Sequence, residues 1–140
     1  MIEAHLLSAY LNTTYRVFFP EEAVDIRIGE CQSRLDELLG GQSWAFISAE
    51  NPGSIPVKDN ADRHGKLVER LKGRNSHPGL GIPDEGDWPP EKSLLVCGIS
   101  EQEAIRIGRQ FGQNAILCGE PGKPARLVPL SGQALRDDFV

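Results

Sequence analysis

Long apolar runs are missing from this chain. No stretch approaches the roughly 18 apolar residues that a membrane-crossing helix needs, so no membrane segment is expected. The opening residues, MIEAHLLSAYLNTTY, carry neither a basic cluster nor the long apolar core of a secretion signal. Cysteine is scarce: Cys31, Cys97 and Cys118 are an odd number with no CxxC spacing. That argues against a disulfide scaffold and suits a reducing cytoplasm. Positive charge is also short. A formal net charge of -5 argues against a generic nucleic-acid binder, which would show a basic face. Arg63, Lys66, Arg70, Lys72 and Arg74 form a locally basic stretch. It reads more simply as a solvated helix face whose cations match the negative end of the helix dipole.

Familiar catalytic signatures are absent as well. There is no P-loop, no GxGxxG after a strand, no GxSxG and no HExxH. His5, His64 and His77 lack zinc-ligand spacing with one another or with the cysteines, so neither a metal nor a cofactor is expected. His64, on an apolar helix face, reads as a satisfied core histidine, and His77, beside Pro78, as a loop residue. Cys97 and Cys118 lie in apolar runs and read as small inert hydrophobes.

What is present is the material of one domain. The chain has 140 residues, 39% hydrophobic and 25% charged, enough for a single core and too few for two comfortable ones. Fifteen Gly and ten Pro predict many turns. Residues 1–130 are expected to form the domain, with 131–140 a loose tail.

Local patterns place the elements. Ile2, Leu6, Leu7, Tyr10 and Leu11 recur at helical spacing over 2–13. Tyr15-Arg16-Val17-Phe18-Phe19 reads as a strand, and Val24-Asp25-Ile26-Arg27-Ile28 alternates as a half-buried strand does, with a hairpin between them around Pro20-Glu21-Glu22. Cys31, Leu35, Leu38 and Leu39 make the stripe of a short helix ended by Gly40-Gly41. Trp44-Ala45-Phe46-Ile47 is a buried strand that breaks into a polar loop at Ser48, Glu50, Asn51, Pro52, Gly53 and Ser54. A helix over 59–72 presents His64, Leu67, Val68 and Leu71 on one face, with Asn60 at the end nearest the loop.

Residues 75–90, rich in Pro and Gly, read as a long ordered loop with one short strand near Leu80-Gly81-Ile82, or else as disorder. Residues 93–99 are nearly continuously apolar, the mark of a strand covered on both faces. Ser100-Glu101-Gln102-Glu103 is a capping box. It opens a helix that turns Ala104, Ile107, Gly108 and Phe111 inward. Strands over 115–118 and 126–130 follow, the latter at an edge because of Pro129. The expectation is a single α+β domain with a mixed or mostly antiparallel sheet and about four packed helices.

Polar residues collect at the ends of these elements: Asn51 and Ser54 after the first buried strand, Asn60 and Arg63 on the next helix, Trp88, Glu91 and Ser93 at the entry to the second, and Gln113 and Asn114 at the entry to the third. Uncharged amides that both donate and accept suit a base, a sugar or an amide. Trp88 could cover a planar ring, and Glu91 could bind a hydroxyl or act as a general base. Each also has a plain structural reading. Asn51-Pro52 makes an Asx turn, Trp88 lids the core, Glu91 pairs with a helix cation, and Gln113-Asn114 follows a helix end.

Three of these stretches carry a family resemblance. AFISAENPGS with Asp59-Asn60, then Trp88-Pro89-Pro90-Glu91-Lys92-Ser93-Leu94-Leu95-Val96, then Gly108-Arg109-Gln110-Phe111-Gly112-Gln113-Asn114-Ala115-Ile116 resemble the bacterial family known as domain of unknown function 3293. The likeness runs from Tyr10 to Val128 and departs from the family pattern at Glu50. It implies a compact bacterial cytoplasmic domain and supplies no mechanism. Two functions stay open. One is a site for a small polar ligand, nucleotide-like or amide-bearing, with or without enzymatic turnover. The other is a non-enzymatic domain whose polar loops meet a protein partner. A concave pocket lined by these residues would favour the first.

Overall fold

A computed structural model describes residues 3–130; Met1, Ile2 and the expected tail at 131–140 lie outside the described residues. The order of elements is α1 (Ala4–Leu11), β1 (Thr13–Phe18), β2 (Ala23–Ile26), α2 (Ser33–Leu38), β3 (Trp44–Ser48), a 3-10 turn (Pro52–Ser54), α3 (Asn60–Arg70), β4 (Ser76–Pro83), β5 (Glu91–Cys97), α4 (Glu101–Gln110), β6 (Ala115–Gly119) and β7 (Arg126–Pro129). All seven strands join one sheet in the order β2-β1-β4-β5-β3-β6-β7. Every strand pair is antiparallel. The fold is α+β, as the patterns predict.

The most apolar runs form the middle of the sheet. β3 lies between β5 and β6, and nearly all side chains of the three strands are buried. Strands covered on both faces have no reason to alternate, which is why these segments read as unbroken hydrophobic runs. One face carries Ala45, Ile47, Leu94, Val96, Ile116 and Cys118, and α3 and α4 close over it with Leu67, Leu71, Ala104 and Ile107. Each fully buried Leu, Ile or Val among them contributes about 1.5–3 kcal/mol. The other face holds Tyr15, Val17, Trp44, Phe46, Leu95, Cys97 and Leu117, plugged at one end by Leu35 and Leu39 around α2.

The sheet curls around this second core until its edges meet. Ile28, just past β2, forms an isolated parallel bridge with Ala125, just before β7. The Gly29 amide donates to the Ala125 carbonyl at 2.9 Å, and the Ala125 amide donates to the Glu30 carbonyl at 3.1 Å.

Several local expectations are corrected. Residues 75–90 are not one loop, because β4 occupies Ser76–Pro83. Its prolines stand where one neighbour has run out. Pairing with β1 spans Gly79 to Pro83, whereas pairing with β5 spans Ser76 to Gly81. Pro78 therefore lies beyond the β1 ladder and Pro83 beyond the β5 ladder, so neither missing N–H breaks a two-sided pairing. Gly79 is required by close approach: a Cβ there would lie 2.5 Å from the Phe46 ring.

Cys31 is exposed and precedes α2 rather than joining its stripe. Val68 is exposed, while Leu67 and Leu71 bury the inner face of the α3 region. Half of the capping box forms. The Ser100 hydroxyl accepts from the Glu103 amide at 3.1 Å, but the Glu103 carboxylate turns away to Arg70, Arg74 and Arg106.

Candidate functional site

The end of the curl opposite α2 is open. There β1 begins, β3 ends, β4 ends, and β5 and β6 begin, and α1 lies across the opening. No side chain of α1 is buried; Leu6, Ala9 and Tyr10 instead form one wall of a cavity of about 410 Å³. Alternation along the strands sends Phe46 and Ser48, Glu91 and Ser93, and Ala115 and Leu117 to this same face. Gly81 sits opposite both Tyr15 and Glu91 in the register. Having no side chain, it leaves room between them. The mouth of a curled sheet is a common place for small-molecule sites, and a mostly apolar wall with a few polar groups is their usual lining.

Glu91 is the charged group set deepest among these polar residues. Its Oε2 accepts from Asn51 Nδ2 at 3.0 Å, and the nearby Ser48 hydroxyl donates to the Lys92 carbonyl at 3.2 Å. Burial raises its pKa above the ordinary carboxylate value; the Asn51 bond and the Ser48 hydroxyl oppose that, and the nearby charge of Glu50 reinforces it. Tyr10 faces the same space. Burial raises its pKa too, against a hydrogen bond with Ser54, and the Glu91 charge adds to the rise. The Tyr15 hydroxyl donates to the Tyr10 carbonyl at 3.1 Å and so fixes α1 to the sheet.

The loop after β3 is held in an unusual shape. Asn51 and Ser54 both have positive φ, at 50° and 63°. Asn tolerates that region, whereas a left-handed serine costs on the order of 1–3 kcal/mol and persists only when its surroundings hold it. The surroundings do so here. The Asn60 side chain accepts from the Asn51 amide and donates to Asn51 Oδ1, both at 2.9 Å. Gly53 donates to the Gly112 carbonyl at 2.8 Å, and Asn114 donates to Ser54 Oγ at 2.7 Å. Arg63 clamps from behind, reaching the carbonyls of Ala49 at 2.7 Å and Phe111 at 2.6 Å. Gln113, buried, donates to the Glu50 carbonyl at 3.0 Å.

The residues singled out from sequence therefore separate into two groups. Glu91, Asn51, Ser54, Trp88, Ser93 and Gln113 line the cavity. Asn60, Arg63 and Asn114 stand behind it and fix the loop that carries Asn51 and Ser54. Trp88, 45% exposed, sits at the rim rather than over the core. Sequence reading missed Tyr10, Tyr15, Phe46, Ser48, Gly81 and Glu85. The available signals were Tyr10 on the inner stripe of α1 and Ser48 two residues from Phe46 on the same strand face. Glu50 was also passed over. It is only 7% exposed, and its Oε1 accepts from the Lys92 amide at 2.9 Å, tying the loop to the start of β5. His64 is not a satisfied core residue: its buried Nδ1 finds no hydrogen-bond partner among the described residues, and burial lowers its pKa.

Among the described residues no helix is long and apolar enough to cross a membrane, and no group of three or more His, Cys, Asp or Glu is placed to hold a metal ion. Fold and site together define a small α+β domain with a curled sheet and an acid-bearing cavity at its mouth. The chain belongs to the family described as protein of unknown function (DUF3293), which matches residues 47–116. No curated protein and no solved structure matches it.

Proposed function

We propose that the cavity binds a small polar compound and that Glu91 is the residue on which recognition, and any turnover, depends. The observation that carries this reading is the Glu91 carboxylate itself. It faces a 410 Å³ space and is held by Asn51, with no cation among its described hydrogen-bond partners. A desolvated carboxylate with unused acceptor capacity and a raised pKa is suited to bind an N–H or O–H group or to act as a general base. Of the two ligand types expected, an amide-bearing compound is better supported than a nucleotide. Among the described residues no Lys or Arg lines the cavity, and phosphates are usually met by such cations or by a helix N-terminus. The protein-partner alternative has less support, because six of the nine predicted polar residues line a concavity. The family resemblance and the free thiols support a bacterial, cytoplasmic setting.

The test is a thermal-shift screen against a metabolite set, repeated with Glu91→Gln. A ligand at 100 times its dissociation constant adds about 2.7 kcal/mol of stability. The reading predicts hits that vanish or weaken in the variant while its fold is retained. Hits unaffected by the substitution would remove Glu91 from the site.

A further inference from the structure

The cavity wall is one-sided in charge. Its acidic residues are Glu91, set inward, and Glu85, at the rim; among the described residues no Lys, Arg or His lines it. Several carboxylates elsewhere have a cationic partner: Asp25 has Arg16, Asp84 has Arg27, and Glu103 has three arginines; the buried Glu50 instead spends an oxygen on the Lys92 backbone amide and lies outside the cavity lining. Among the described residues Glu91 has only the neutral donor Asn51. A carboxylate taken from water without a counter-charge is costly, and a bound cation relieves that cost. The remaining wall is aromatic to an unusual degree for a chain with only 6% aromatic residues: Tyr10, Tyr15, Phe46 and Trp88 all contribute. Tyr15 and Phe46 meet edge to face, with ring centroids 5.4 Å apart. Aromatic faces attract organic cations, with Trp the strongest.

We infer that the ligand is a small organic cation, an amine or amidine on a flat apolar body, with its charged nitrogen on Glu91 and its body among the aromatic rings. This rests on the reading that the cavity is a binding site, and it puts a cationic nitrogen where that reading left a neutral amide. The apolar walls take the body, Glu91 takes the charge, and Trp88 at the rim covers what remains.

Benzamidine, benzamide and benzoate share one ring and carry positive, zero and negative charge, so they separate charge from shape. Each is titrated into the intact protein by calorimetry and by chemical-shift perturbation. Benzamidine is expected to bind about tenfold more tightly than benzamide, with benzoate undetected. Glu91→Gln should bring benzamidine close to benzamide, and Trp88→Ala should weaken both, which places them in the cavity. Benzamide binding as tightly as benzamidine, or a preference that survives Glu91→Gln, overturns the charge inference and leaves the binding site standing. No response to any of the three at millimolar concentration overturns both.

Discussion

Gly79 and Gly81 lie two residues apart on the same face of β4, and one added methyl at each distinguishes packed core from open cavity. At Gly79 a Cβ would stand 2.5 Å and 2.9 Å from the Phe46 ring and 3.1 Å from the Arg16 carbonyl oxygen. The ring can move, but the carbonyl belongs to β1 and cannot give way easily. Overpacking of this kind costs about 1–3 kcal/mol. Replacing a flexible strand glycine by alanine returns about 0.5–1 kcal/mol, so Gly79→Ala should destabilise by about 0–2.5 kcal/mol net. At Gly81 the nearest atoms are 3.8 Å away on Tyr15 and 3.9 Å away on Glu91, an ordinary contact distance. Only the alanine gain remains, so Gly81→Ala should stabilise by about 0.5–1 kcal/mol. Its methyl also projects into the cavity, so any ligand seated there should bind more weakly to a more stable protein. Urea unfolding followed by circular dichroism reads both values. Equal shifts in the two variants, or the larger loss at Gly81, would refute the placement of the cavity between Tyr15 and Glu91.

Three further outcomes are expected. Burial raises the folded pKa of Glu91 above its ordinary value of 4.5, so the native state holds this proton more tightly than the unfolded chain and loses stability as pH rises through the folded pKa. Glu91→Gln should therefore be more stable than the parent at pH 8 without ligand, with the gap closing at acid pH; a gap independent of pH would contradict the burial argument. Asn60→Ala removes both bonds that hold Asn51 at positive φ and should cost about 1–3 kcal/mol in a chemical-denaturation experiment, and an unchanged midpoint would mean the loop keeps its shape without them. Trp88→Ala should speed proteolysis between Asp84 and Pro90, and not within β4, as mapped by mass spectrometry; an unchanged cleavage rate would show that Trp88 does not anchor this segment.

The parts of the fold legible in sequence were those where one signal acted alone. β3, β5 and β6 announce themselves as apolar runs because both sheet faces are covered, and β2 alternates as a half-buried strand does. β4 was hidden because Pro78, Gly79, Gly81 and Pro83 are breakers by local propensity, yet tertiary context admits them all. The prolines fall at ladder ends, and the glycines lie beneath the rings of Phe46 and Tyr15. At the site, sequence placed Asn51 and Glu91 among the polar residues at element ends, but which group meets the Glu91 carboxylate was not legible there; the structure shows it is Asn51. The α1 wall was not legible. An amphipathic helix looks the same in sequence whether its stripe meets a packed core or an empty space, and only the lack of any buried side chain in α1 separates the two.

The join between Ile28 and Ala125 bears on how this protein can be cut. The family match runs from residue 47, inside β3, to residue 116, inside β6. A fragment trimmed to those limits would lack β1, β2 and β7 and most of β3 and β6. β4 would lose its β1 neighbour, and the inner core would lose Tyr15, Val17, Val24, Ile26 and Ala125. Exposed backbone donors and acceptors beside bare apolar surface form a template on which further copies can stack. In the uncut chain the sheet's two ends occupy each other. The strands outside the family-matched segment thus close off surfaces that the segment alone would leave bare.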